Sequence, residues 1–269
     1  MTTSTDEQQY LQAILTQLEK TKPYEALTST HSSAWDVQVG SALAGDDAKT
    51  NPYQVSHLAW QALTVASDHL NALRRSLIGD QQGDHITVTM HPYAQATLLR
   101  GAFENSARSV WLLAPGKRLT RIKRRLALQA DNDKHSDRMH ELLGTTPPRP
   151  TAERAKQIRD LAVGAGIPQS DVKKELAFGY TKMVQTAGEH LAGMGKAQAE
   201  AVWSACSALA HGDVHSMGFL EKEIVGQVGN VALTRLSTDS KIMVWVTTRT
   251  VQMVEYGFQL YKERVTPPA

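Results

Sequence analysis

Two stretches of this chain bring chemically useful side chains together at helical spacing. In the first, Arg100, Glu104 and Arg108 stand four residues apart, so Glu104 can pair back to Arg100 and ahead to Arg108, with Trp111 continuing the line. In the second, Trp203, Ser207 and His211 also fall four apart, which lets Ser207 hydrogen-bond toward His211 at the end of its helix. The helix dipole favours a protonated histidine there, and a nearby carboxylate such as Glu104 would make His211 a candidate general acid. The same residues have a plainer explanation. Arg100 and Glu104 can form an ion-pair seam that fixes packing, and His211 can cap a helix and anchor a loop.

Other groups carry weaker chemistry. His211, Asp213 and His215 alternate, so an extended segment would turn two imidazoles and a carboxylate the same way, toward Zn, Mn or Fe. Three ligands from one short run need a fourth from elsewhere, and loop-fixing histidines are the simpler expectation. His135, His140 and Glu141 are close in sequence, but His135 and His140 are poorly matched on a helix. The run from Lys117 to Arg125 has no acid, and it sets Lys117, Arg121, Arg124 and Arg125 on one helical face. Such a face can contact RNA phosphates or an acidic partner in a salt-dependent way. No aromatic side chains are interleaved to stack on bases, and salt bridges within the bundle would account for it equally. No cofactor is implied, since the chain has no G-x-x-x-x-G-K-[ST] loop, G-x-G-x-x-G turn, H-E-x-x-H helix or G-x-S-x-G elbow. Cys206, the single cysteine, excludes an intrachain disulfide and falls beside Val202 and Leu209, as a buried thiol would.

The elements that must position these groups are helices. Leu99, Ala102, Phe103, Ser106, Val110 and Leu113 form an apolar stripe on a helix from about Pro92, and Ala114-Pro115-Gly116 turns it into a basic helix running to Gly144. The pair should form a tight hairpin. Before them, Ser4 and Glu7 suggest a capping box for a short helix that Pro23 closes. Asn51-Pro52 should open a long helix ending near Gly79, and His85 to Met90 suggests an extended connector. After the Pro-rich stretch 145–150, shorter helices are expected over 151–163, 170–191 and 196–210. A β-hairpin over 218–236 and a last helix over 240–264, with Met243 and Met253 as core filler, complete the chain. The expected fold is mainly α, a multi-helix bundle with one small β-hairpin before the C-terminal helix. Residues 1–50 would form an N-terminal helix and irregular arm, and 51–269 the bundle, with a surface loop at 144–150.

At 269 residues the chain can bury a full core, and a net charge of +2 selects no class of partner. No stretch approaches the ~18 apolar residues of a membrane span. The start carries neither a basic nor an apolar leader region, so a cytoplasmic location is expected.

Three features in order, Arg100-x3-Glu104, Trp111-Leu-Leu-x-Pro115 before a basic helix, and Ser207-x3-His211-Gly212, resemble an uncharacterised group of actinobacterial helical proteins. The resemblance spans roughly Pro52 to the C-terminus and is strongest at 98–126 and 203–215. That group is in turn distantly similar to HEPN-like bundles, many of them ribonuclease toxins or antiviral effectors. The resemblance implies a bundle, a homodimer and RNA cleavage by an arginine placed four to six residues before a histidine. This chain has no such pair: Arg125 is too far from His135 and Arg138 too near His140. Three functions remain as expectations: a structural or interaction protein, a metal-independent ribonuclease using Arg100, Glu104 and His211, and a binding module using the basic helix.

Overall fold

The computed structural model describes residues 5–82 and 85–268, and the expected Ser4–Glu7 capping box lies outside them at Ser4. The fold is a mainly α bundle. Among the described residues, eleven α-helices are joined by two short 3-10 turns and two antiparallel two-stranded hairpins. Its axis is α5 (Pro92–Leu113), entered through a proline in its first turn, where a missing amide donor costs nothing. All six residues of the expected stripe are buried, from Leu99 to Leu113, because their spacing keeps them on one side of the helix.

Around α5 pack α4 (Val55–Leu77), α9 (Tyr180–His190), α10 (Gly195–His211) and α11 (Ser240–Val265), and α1 (Thr5–Glu19) lies on α11 and α4; all share one apolar core. Some of these contacts are too close for side chains. A Cβ on Gly101 would strike the His69 ring of α4, and one on Gly188 would meet Ala199 and the backbone of Gly195 in α10. The last helix is capped by Asp239, whose carboxylate accepts from the amides of Lys241 and Ile242 at 2.9 and 3.1 Å. Met243 and Met253 are buried in the core, as expected.

The first fifty residues are more ordered than an irregular arm. Pro23 does not merely close α1; it lies in the first turn of α2 (Lys22–Ser29). A 3-10 turn (Ser33–Trp35) and α3 (Ala42–Thr50) follow, the latter capped by Ser41, and Ile14, Leu18 and Leu43 are fully buried in the main core. The long helix α4 starts at Val55, after a turn over 51–54. The segment His85–Val88 (β2) is not a lone connector, since it pairs with β1 (Ile78–Gln82) directly after α4.

The basic helix α6 (Arg118–Leu143) ends at Gly144, which takes the left-handed conformation that stops helices. It lies against α3 and α7 (Thr151–Gly164), where Ile122 and Leu126 join Ile158, Ala162, Ile167 and Val172 in a second, smaller cluster. The expected apolar side does not continue to Gly144: Met139, Leu142 and Leu143 are exposed. The helix expected over 170–191 is broken into α8 (Val172–Glu175) and α9, with an irregular link at 176–179 that turns Phe178 onto Trp111. The second hairpin, β3 (Leu220–Val228) with β4 (Val231–Thr238), is bulged at Val225 and largely exposed on both faces.

Candidate functional site

Glu104 is the hub of the central seam. Its carboxylate accepts from the Trp203 indole of α10 at 2.8 Å, and Arg100 and Arg108 approach it at 3.8 and 3.7 Å, the two partners that the spacing predicts. Those distances exceed hydrogen-bond range, and the arginines are left with capacity to spare. The Nε atoms of both are buried with no hydrogen-bond partner. Arg100 stacks near the Trp203 ring and makes no hydrogen bond with any described residue; Arg108 bonds Asn105 at 3.0 Å and lies over the Tyr180 ring.

Trp203 joins this group and His211 does not. Ala96 packs with Leu209, so α10 runs antiparallel to α5 and carries His211 past Arg100 toward the start of α5. From Trp203 to His211 is two turns, about 12 Å of helix. His211 is exposed and has no ion pair or hydrogen bond to a described residue; Ser207 is half-buried and makes no bond to it. Gly212 then turns left-handed and a 3-10 turn (Val214–Phe219) begins, so the extended geometry that would align His211, Asp213 and His215 is absent. Among the described residues no group of three or more His, Cys, Asp or Glu side chains is placed to hold a metal ion. Cys206 lies against the seam near Arg100; burial pushes its thiol up to about 12, so it stays protonated and unreactive.

The basic helix turns much of its charge inward. Arg121 is fully engaged: Nε and Nη2 form a bidentate pair with Asp46 at 2.5 and 2.9 Å, and Nη1 donates to the carbonyls of Pro115 and Gly116. Asp46 is 0% exposed and also takes Arg118 at 3.2 Å, so this carboxylate holds α6 onto α3. Arg124 donates to the Trp111 carbonyl and covers the Trp111 ring, which binds the start of α6 to the end of α5. Lys117 is exposed. The four cations of the expected face therefore do not form one surface.

Arg125 differs from Arg121. It is 8% exposed, donates from Nε to the Gln54 carbonyl and from Nη2 to Gln129, and lies over the Tyr53 ring. No described carboxylate comes within ion-pair distance of it, and burial lowers its guanidinium to about 10. It lines a cleft of about 220 Å³ between α4, α5, α6 and α9, together with Arg108, Gln129, Asp131, Asn132, His135 and Tyr180. His135 reaches Asp131 on the rim at 3.5 Å. Of this site the sequence singled out Arg125 and the Arg108 spacing. It left out the His135–Asp131 pair and Gln129, although Arg125-x3-Gln129-x3-Asp133 is a polar ladder at helical spacing.

Comparison with family models, with curated proteins and with solved structures finds no match to this chain. Among the described residues no helix is long and apolar enough to cross a membrane.

Proposed function

We propose that this chain is a binding protein, with no assigned catalysis, whose α4–α5–α6–α9 cleft takes a small anion, a phosphate or phosphomonoester group. One observation carries the reading: Arg125 is buried with no carboxylate in ion-pair contact, Asp133 and Asp47 acting on it only from further away, beside an Arg108 that uses few of its donors. A buried unpaired charge is costly, so an anion arriving there recovers Coulomb energy that the fold leaves unmet. Planar guanidinium donors suit phosphate oxygens. The cleft volume is below the ~300–1,000 Å³ typical of drug-sized ligand sites, which favours a small group over a large one.

The ribonuclease alternative, with Arg100, Glu104 and His211, draws no support from the placement of His211. RNA or acidic-partner contact along α6 has Lys117 and half-exposed Arg118 to work with, while Arg121 and Arg125 face inward. The single buried thiol fits the cytoplasmic location expected from the sequence.

The test is calorimetric titration of the full chain with inorganic phosphate and with a nucleoside monophosphate, wild type against Arg108→Gln. Saturable binding that weakens about tenfold in the variant, with an unchanged melting curve, is expected, the loss of one charge-assisted contact. Binding of equal strength in both, or none, overturns the proposal. An RNA-cleavage arm with His211→Ala separates the alternative: activity lost with that side chain would point there instead.

A further inference from the structure

A second, larger cleft of about 650 Å³ opens between the 3-10 turn at 33–35 and the first half of α4. Among the described residues only Gln61, on the ridge of α4, borders both this cleft and the arginine cleft. Its character is the reverse. Among the described residues no lysine or arginine lines it; Asp36 and Asp47 do, with His31, His57 and the rings of Trp35, Trp60 and Tyr261.

The rings are held in place rather than loose. Trp35 and Trp60 meet at 5.9 Å, and both set an edge-to-face contact on the buried Phe258 ring, at 6.0 and 6.1 Å. Tyr261 backs both. The two tryptophans are nonetheless only half-buried. Asp47 is fixed by Ser56, accepting from its amide at 3.0 Å and its hydroxyl at 2.5 Å. Asp36 is exposed at the rim, 3.1 Å from His31. The field of both carboxylates reaches the floor, where with burial as the main cause they raise the Tyr261 phenol above its ordinary range. Outside the cleft, Lys262 already lies 5.3 Å from the centre of the Trp35 ring, so this ring engages a cation within the fold itself.

We infer that this cleft binds an organic cation of the alkylammonium class. Aromatic faces attract a cation through their quadrupole, and two carboxylates, Asp47 held by Ser56 and Asp36 at the rim beside His31, set the sign of the site. Its volume lies within the range of sites for small organic ligands. A neutral molecule of the same shape would gain only the apolar contact.

Choline and its neutral isostere 3,3-dimethylbutan-1-ol make the test. The full chain carries five tryptophans, whose indole signals in an NMR titration report where each probe binds. Choline is expected to shift Trp35 and Trp60 and leave Trp111, Trp203 and Trp245 unmoved, with the isostere about tenfold weaker. Asp36→Asn, at an exposed position, should weaken choline several-fold, leave the isostere unchanged and leave phosphate binding at Arg108 untouched. Equal affinity for the two probes, or choline shifts elsewhere or nowhere, overturns the inference.

Discussion

Asp46 and Glu104 are each flanked by two arginines, and they are used in opposite ways. Asp46 is closed: it is wholly buried, bidentate to Arg121, and those arginine donors are spent on it and on two carbonyls. Glu104 is open: its side chain is 18% exposed, its strongest bond comes from Trp203, and its arginines stand beyond hydrogen-bond range with their Nε atoms unmatched. A closed set fixes two helices together. An open one holds charge in place with donors to spare, as a binding wall requires, and the two sets show that an Arg–carboxylate pairing must be judged by its unused donors.

The widest separation between them should appear on removing each acid. Asp46→Ala leaves Arg121 buried and unpaired and should destabilise by about 3–5 kcal/mol, measured by urea unfolding. Glu104→Ala loses one charged hydrogen bond in a partly solvated place and should cost about 1–2 kcal/mol. Only the second bears on binding. Removing Glu104 releases Arg108, so phosphate affinity at the cleft should rise several-fold by calorimetry; a fall would show that Glu104 instead holds Arg108 in its binding position. A smaller effect concerns His190, at the end of α9, where burial and then the nearby Arg124 lower its pKa. Its neutral form is favoured in the folded state, so its contribution is present above the ordinary imidazole range, ~6.5, and is lost as pH falls through it. His190→Gln should flatten the decline in urea midpoint between pH 7.5 and 5; an unaltered decline would remove His190 from the account.

Much of the bundle was legible because periodicity records burial. The six stripe positions of α5 are all buried, and Glu104 meets both neighbours that its spacing names. Contacts between distant residues left no local trace. Asp46, in Gly45-Asp46-Asp47, has the pattern of a loop acid, and nothing near it announces Arg121 seventy-five residues on. The basic run was ambiguous for a physical reason: arginine counts as polar in a pattern, yet its long stem buries readily when its head finds carbonyls or a carboxylate. His211 was expected beside Glu104 because both belong to marked motifs; the antiparallel register of α10 decides otherwise, and register is a property of packing. The β1–β2 pair was missed because Gly79-Asp80-Gln81-Gln82 has no alternation to show it.

The absent methyl at Gly101 leaves room for a close crossing. It lets α5 settle against the His69 ring, which fills the place a side chain of α5 would take. Arg108 is seven residues onward, about 10 Å along the helix axis. The arginine cleft, bounded by Leu58 and Gln61 on one side and Arg108 on the other, thus opens two turns beyond a point where the two helices touch with no spacer between them.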